Sequence, residues 1–238
     1  MKEFVELWMY LSATPLFGLT ATLVVYLITH RLYTAWGQPP WANPVLWSVL
    51  ILASVLLATH TAYPVYFSGA QFIHFLLGPA VVALAWPLWQ RRQLLRTHGR
   101  ALLAAALIGG AAAAGSTWLL GSWLGLPREV LLSLVPKSVT APVAMGVAEQ
   151  IGGIAALAAI SAVLTGIVGA IAGKYLFDAI RIPSPAIRGF ALGTASHGIG
   201  AARAWQVHPD AGALAGLALA LQALITAAAL PLAVQWLK

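Results

Sequence analysis

Long apolar runs dominate the hydrophobic pattern of this chain, and short polar stretches separate them. A helix needs roughly 20 mainly apolar residues to cross the hydrocarbon core of a bilayer. Runs of this length predict six full membrane spans, at 9–29, 44–63, 72–90, 101–122, 151–174 and 211–236. Because only helices and closed barrels satisfy the backbone in lipid, the pattern predicts an all-α polytopic membrane protein.

Two further apolar segments are interrupted, and we expect each to form a broken helical hairpin. In 127–149, Pro136 and Pro142 bracket a polar stretch, and each proline removes a backbone N–H and disfavours helix before it. In 185–205, three glycines fall within eight residues, which predicts a break at 196–200. Residues 1–238 are therefore predicted to form a single transmembrane domain, ordered as a first group of spans (9–122), two broken hairpins around span 151–174 (127–205) and a last span (211–236).

Another interruption is expected inside the third span. Gly78 and Pro79 adjoin each other in the middle of 72–90, and proline within a helix removes a hydrogen bond and bends the axis. We therefore predict a kink at these two residues.

The composition agrees with a membrane protein. Of 238 residues, 61% are hydrophobic and only 8% are charged, whereas soluble domains carry about 25% charged residues. The net charge of +7 is explained by Lys and Arg left in cytoplasmic loops, so we expect lipid and not nucleic acid as the partner. The absence of cysteine excludes disulfides, Cys-ligated metals and thiol nucleophiles.

The distribution of cations predicts the orientation in the membrane. Three loops on one side carry eight cations: Arg31, Arg91, Arg92, Arg96, Arg100, Lys174, Arg181 and Arg188. The other side carries Lys2, Arg128 and Lys238. The positive-inside rule then places the three loops in the cytoplasm and both termini outside, in a multi-pass protein of the inner membrane. The two hairpins would enter from opposite faces, which is typical of an elevator-like transporter architecture.

Each predicted break carries a cation, Lys137 in the first and Arg203 just after the second. A cation near the bilayer centre costs about 2.5–3.5 kcal/mol. A half-helix starting at Pro142 would direct its N-terminus at Lys137, Ser138 and Thr140. Because helix N-termini and cations together bind carboxylates and phosphates, we interpret the two breaks as one small-anion site. The alternative is that both cations extend to lipid headgroups.

Two residues are candidates for carrying a proton. His197 lies at the predicted tip of the second break, and histidine changes charge near neutral pH. Glu149 follows the first hairpin, and a membrane-embedded carboxylate needs a cation or a proton. The alternatives are a histidine bonded to a backbone carbonyl and a glutamate at the membrane interface.

The chain carries no Gly-rich phosphate loop followed by Lys-Ser/Thr, no HExxH and no GxSxG motif. We therefore expect no enzymatic activity, no cofactor and no metal.

Three stretches, GAQFIHFLLGPAVVALAWPL, VPKSVTAPVAMGVAEQIGG and GTASHGIGAARA, resemble the LrgB/CidB membrane family. The similarity runs from about Asn43 to the last helix. Plant members are plastidial glycolate/glycerate translocators, so the resemblance implies a secondary transporter of small carboxylates such as glycolate, glycerate, lactate or pyruvate, proton-coupled and working by alternating access. The motif residues carried over by position are Lys137, Ser138, Thr140, Glu149, Ser196, His197, Gly198, Gly200 and Arg203.

The same resemblance implies a second class of function. Bacterial members are linked to a holin-like partner, murein hydrolase control and lysis, so the alternative is a holin-like or antiholin-associated protein with a small LrgA/CidA-like membrane partner. A pore has no need of two breaks from opposite faces, which favours the carrier. We also expect a homodimer. Ala141, Ala201 and Gln206 depart from the family pattern, and the first two remove hydroxyl groups that a hydroxy acid would use.

Overall fold

Helices make up the secondary structure of the part of the chain that the computed structural model describes, residues 15–76, 79, 82, 86, 89 and 92–236. The α-helices are α1 Pro15–Ala35, α2 Pro44–Ala58, α3 Tyr63–Phe75, α4 Arg92–Trp123, α5 Arg128–Leu134, α6 Ala141–Ile151, α7 Ala155–Ala179, α8 Pro185–Val207 and α9 Pro209–Trp236. Two 3-10 segments, Pro40–Ala42 and Val135–Ser138, precede α2 and join α5 to α6. The all-α prediction is confirmed for these residues.

Four of these helices, α1, α4, α7 and α9, are long and apolar enough to cross a membrane. Helix α2 is a shorter apolar helix of 15 residues. It ends at Ala58, five residues before the end of the span predicted at 44–63. The start of the predicted span 9–29, much of 72–90 and the kink at Gly78 fall outside the described residues. The six-span elevator architecture therefore stays a prediction.

The span predicted at 151–174 begins four residues later, at Ala155, and continues to Ala179. Helix α6 continues to Ile151 and ends at Gly152, which takes a left-handed conformation (φ 89°). Glycine adopts this conformation without steric cost, and it is the common end of a helix. The N–H of Gly153 then bonds to the carbonyl of Ala148 at 2.7 Å and closes the turn.

The chain forms two compact units, residues 1–82 and 83–238. In the first unit, the hydroxyls of Thr22 and Tyr66 (2.6 Å) join α1 to α3, and those of Thr29 and Ser48 (2.9 Å) join α1 to α2. The second unit contains both broken segments. The prediction of one transmembrane domain over 1–238 stays a prediction.

Helices α5 and α6 and the 3-10 segment between them form a returning hairpin, residues 128–151, named hairpin 1. The Ser133 hydroxyl accepts a hydrogen bond from the N–H of Ile154 at 2.7 Å, and Leu132 packs with Val147 and Ile151. The chain therefore returns to the side from which it entered. Its open end lies beside the start of α7.

Helix α8 is also a returning hairpin, named hairpin 2, whose arms 185–195 and 198–207 meet at a sharp break. Both arms contact the first turns of α9. A Cβ at Gly189 would overlap the backbone of Ala211, and a Cβ at Gly212 would overlap Trp205. The side chains of Arg188 and Asp178 form an ion pair at 2.6 Å, which fixes the open end of hairpin 2 beside the end of α7.

The tips of the two hairpins meet against the middle of α7. Val139, at the tip of hairpin 1, packs in one cluster with Ala158 and Ala162 of α7. His197, at the tip of hairpin 2, bonds to the carbonyl of the same Ala162. The two hairpins thus approach from opposite ends of α7 and place their tips at one level.

Candidate functional site

The tip of hairpin 2 consists of Ser196 and His197, which are 2% and 4% exposed. His197 has φ 40° and ψ −135°, a backbone conformation almost restricted to glycine that costs of order 1–3 kcal/mol. The break lies within the stretch predicted from the glycines, yet the strained residue is the histidine itself. The surrounding contacts must therefore hold it there.

Two glycines of α7 make room for this tip. A Cβ at Gly169 would overlap the hydroxyl of Ser196, and one at Gly166 would lie 2.8 Å from Cε1 of His197. Across the hairpin, a Cβ at Gly200 would lie 2.8 Å from the carbonyl oxygen of Leu192. Gly200, a predicted site residue, therefore lets the two arms of hairpin 2 approach each other.

The ring of His197 has a defined partner. Its Nε2 lies 2.8 Å from the carbonyl oxygen of Ala162. A carbonyl only accepts hydrogen bonds, so Nε2 carries the proton and Nδ1 is the position that gains or loses one. The bond to a backbone carbonyl agrees with the structural alternative for this histidine and leaves one ring nitrogen for chemistry.

The tip of hairpin 1 contains two hydroxyls. Ser138 is 6% exposed at the end of the 3-10 segment. Thr140 precedes the first residue of α6, the position where a threonine hydroxyl usually caps the helix, but it makes no such bond. Its Oγ1 is buried without a hydrogen-bond partner among the described residues. Leaving a buried polar atom unpaired costs about 1–3 kcal/mol.

Thr140 also marks where the two tips touch. A Cβ at Gly198 would lie 3.9 Å from Cγ2 of Thr140. Gly198 begins the returning arm of hairpin 2, and Thr140 precedes the returning arm of hairpin 1. Two helix N-termini, each with free N–H groups and a partial positive charge, therefore start next to each other. Pro142 occupies the first turn of α6, as predicted, and Pro136 is buried in the 3-10 segment.

Lys137 is half-buried, and its side chain extends to α4. Its Nζ donates to the Ala113 carbonyl at 3.3 Å and to the hydroxyl of Thr117. Among the described residues, the ammonium group thus has neutral acceptors and no carboxylate within ion-pair distance. Sequence reasoning missed Thr117, although a hydroxyl residue in an apolar helix is the usual partner for a buried polar group.

Arg203 and Glu149 lie farther from the tips. Arg203 is half-buried on the returning arm of hairpin 2. Glu149 is exposed in the last turn of α6, near the open end of hairpin 1. The structure therefore gathers Ser138, Thr140, Ser196, His197 and Gly198 around the tips, and it directs Lys137 to α4.

One buried polar residue near this level was not predicted. Gln222, 3% exposed, lies halfway along α9. It stands alone in the apolar run LALALQALITAAAL, and a lone amide at the centre of a spanning helix was the signal that could have identified it.

The sequence of this chain matches a known protein family. The family model described as the LrgB-like family matches residues 22–236. This chain belongs to the LrgB-like family. The family assignment confirms the resemblance inferred from the three signature stretches.

Similar proteins agree with the LrgB-like assignment over nearly the whole chain. The uncharacterized proteins YwbG and YxaC of Bacillus subtilis are each 32% identical, covering 94% and 91% of this chain and 97% and 93% of their own lengths. The holin-like protein CidB of Staphylococcus aureus is 30% identical over 88% of this chain and 91% of its own. No solved structure matches. With several apolar helices, this LrgB-like chain is a multi-pass membrane protein.

Proposed function

We propose that this protein is a secondary transporter of small carboxylates, such as glycolate, glycerate, lactate or pyruvate, in the inner membrane. In this proposal one anion binds where the hairpin tips meet, and access alternates between the two sides of the membrane. Two hairpins from opposite ends of α7 are the kind of broken helices that surround a transporter's substrate.

One observation carries the proposal: the N-terminal ends of two returning arms adjoin at Thr140 and Gly198. Free N–H groups and the helix dipole favour a carboxylate there. The hydroxyl of Thr140 has no acceptor among the described residues, and a carboxylate oxygen would supply one. Ser138 and Ser196 provide further hydroxyls at the two tips.

Lys137 and Arg203 supply the positive charge in this proposal. The hydrogen bonds from the Lys137 ammonium to the described residues go to neutral oxygens, so an anion within reach would supply a counter-charge. Lys137→Gln and Arg203→Gln are each expected to weaken anion binding at least tenfold, since charge-assisted hydrogen bonds are worth about 1.5–3 kcal/mol.

A co-transported proton would let a neutral complex cross the membrane. Moving one elementary charge through the membrane field costs about 2.3 kcal/mol per 100 mV. His197 is the better placed of the two predicted carriers, because it is buried at the tip whereas Glu149 is exposed near the open end of hairpin 1.

Uptake by proteoliposomes tests the proposal. Purified protein is reconstituted, and the accumulation of labelled glycolate, lactate, pyruvate and acetate is measured with and without an inward proton gradient. Saturable uptake that unlabelled acid inhibits is expected in the parent protein and is expected to fall in Lys137→Gln. Absence of uptake of every acid, from protein that remains folded and correctly inserted, would contradict it.

The similarity to CidB, a holin-like protein, favours a second candidate function. A holin-like or antiholin-associated protein would act through a pore or a small LrgA/CidA-like partner. Release of a trapped dye from the same proteoliposomes separates the two. A carrier retains the dye while it moves labelled acid, and a pore releases both together.

We also propose that the transporter is a homodimer.

A further inference from the structure

Lys137 joins hairpin 1 to α4 by hydrogen bonds. Its Nζ donates to the carbonyl oxygen of Ala113 at 3.3 Å and to the hydroxyl oxygen of Thr117. The hydroxyl of Thr117 in turn donates to the same carbonyl of Ala113 at 2.7 Å. Because its proton is used in that bond, the oxygen of Thr117 presents its lone pairs to the ammonium group. One turn of α4 thus offers two oriented acceptors to a single lysine.

The same lysine lies close to the proposed anion site along the chain. Ser138 follows it directly, and Thr140 lies three residues on, so the hydroxyls of the tip of hairpin 1 are its near neighbours. Consecutive Cα atoms are 3.8 Å apart, which places the Cα atoms of Lys137 and Thr140 at most about 11 Å apart. Lysine carries its charge on a flexible four-carbon stem. A change of rotamer can therefore turn the ammonium group from α4 toward the tip.

The packing of this segment against α4 is incomplete. A cavity of about 220 Å³ lies between the 3-10 segment of hairpin 1, α4 and α9. Its lining includes Ser138 from the tip of hairpin 1 and Gly110 and Ala114 from α4. A close-packed contact resists rearrangement, whereas a gap of this size leaves room for side chains to move. The hydrogen bonds of Lys137 therefore contribute to holding the tip against α4.

We propose that the ammonium group of Lys137 rests on Thr117 and Ala113 while the site is empty, and leaves them for the carboxylate when an anion binds at the hairpin tips. This inference rests on the proposed function and adds Thr117 to it as a positioning residue. A carboxylate displaces the two oxygens of α4 because it carries a full negative charge, whereas those oxygens are neutral. Anion binding thus breaks a contact between hairpin 1 and α4.

In this arrangement Thr117 competes with the anion for Lys137. The apparent affinity for a ligand falls when only a fraction of the protein has its binding group available. A variant that weakens the resting position is therefore expected to bind anions more tightly. A residue that contacts the anion would show the opposite effect, and a merely structural residue would leave the affinity unchanged or lower.

Equilibrium binding of labelled glycolate, lactate, pyruvate and acetate to the purified protein tests this competition. Thr117→Val keeps the shape of the side chain without an acceptor and is expected to lower the dissociation constant about tenfold, the usual effect of one hydrogen bond. Thr117→Ser keeps the hydroxyl and is expected to keep the affinity of the parent. Thr117→Ala is a second variant without the acceptor, with the residue that favours helix most, and covers the case in which valine impairs folding.

Ser116→Ala is the matched control. The hydroxyl of Ser116 donates to the same carbonyl of Ala113, at 3.1 Å, and does not bond to Lys137, so its removal should leave the affinity unchanged. A double-mutant cycle with Lys137→Met assigns the effect to the lysine. Without the ammonium group, Thr117→Val is expected to change the dissociation constant less than about twofold.

The outcomes separate this inference from the proposed function. Tighter binding in Thr117→Val that disappears in the Lys137→Met background would support the resting position. Unchanged or weaker binding in Thr117→Val and Thr117→Ala, or an equal gain in both backgrounds, would overturn it and leave the proposed function standing. The expected pattern of binding without any uptake by proteoliposomes would support the resting position and contradict transport. If the parent binds none of the four acids, both are wrong.

Discussion

Polar side chains are rare in this chain, and those buried near the hairpin tips differ in how they are satisfied. His197 reaches the carbonyl of Ala162, and Lys137 reaches Thr117 and Ala113. Thr140 and Gln222 each keep an oxygen without a hydrogen-bond partner in the part of the chain that the structure describes. A buried polar group with a hydrogen-bond partner stabilises the fold, whereas a buried polar group without one reduces stability. At Thr140 and Gln222, a role in binding would therefore come at the expense of stability.

Thr140→Val tests this opposition. Valine keeps the shape of threonine and removes the unpaired hydroxyl, so we expect the free energy of unfolding to stay the same or rise by up to about 1 kcal/mol. Anion affinity is expected to fall severalfold, measured as the ligand-induced rise in melting temperature. Thr117→Val is the matched control, because it removes a hydroxyl that has a partner and should lower the melting temperature. A Thr140→Val variant with lower stability and unchanged affinity would contradict the proposed role.

The two candidate proton carriers are separated by conservative substitutions. In His197→Gln the amide N–H can still reach the carbonyl of Ala162, so the tip of hairpin 2 should persist without a titratable group. We expect this variant to lose accumulation driven by a proton gradient and to retain exchange of labelled for unlabelled acid across the liposome membrane. Glu149→Gln is expected to keep both activities.

If Glu149→Gln instead loses gradient-driven accumulation, the proton is carried there. Accumulation that persists in both variants would leave facilitated diffusion or exchange as the mechanism.

At the scale of elements, sequence reasoning located both breaks but not how they are built. Pro136 and Pro142 and the glycines of 185–205 mark places where a helix stops, because proline lacks a donor and glycine costs helix entropy. They carry no information on long-range partners, so the bond of His197 to Ala162 and the direction of Lys137 toward α4 could not be predicted. The start of α7 was misplaced because Gly152 and Gly153 are as apolar as the helix that follows them.

The contact between the tips predicts a cross-link. In Thr140→Cys/Gly198→Cys, the sulfur at 140 can take the place of Thr140 Cγ2, which lies 3.9 Å from the Cβ position at 198, so a small side-chain adjustment allows a disulfide. Because the parent has no cysteine, oxidation should join these positions only, measured by mass spectrometry of the peptide pair. We expect the oxidised protein to lose anion uptake and to recover it on reduction. Each single variant is the control, and a double variant that remains reduced under oxidant would contradict the contact.

At the scale of the whole molecule, the pattern of cations is the signal from which the sequence predicts the orientation in the membrane. It concerns charges near the ends of the spans, which are read from the sequence without packing information. The number of membrane spans is harder to predict, because α2 ends earlier than its apolar run and a hairpin arm is as apolar as a span. Length and hydropathy do not distinguish a segment that crosses the membrane from one that turns back.

The orientation is tested by labelling single cysteines introduced into the cysteine-free chain. Gln93→Cys lies in the first turn of α4, on the side predicted to be cytoplasmic, and Lys238→Cys lies at the end predicted to be outside. An impermeant thiol reagent added to intact cells is expected to modify position 238 and to modify position 93 only after the cells are opened. Reaction at 93 alone in intact cells would show the opposite orientation.

The close fit of Ser196 into the space above Gly169 links two positions that are far apart in the sequence. A methyl group at 169 is excluded while position 196 carries any side-chain atom beyond hydrogen, yet it becomes harmless once 196 is glycine. The order in which substitutions arise then decides whether they survive, because a change at 169 is accepted only in a background where 196 has already lost its side chain. During evolution this part of the protein can change only along such ordered routes, and a lineage that has kept the serine is committed to the glycine opposite it.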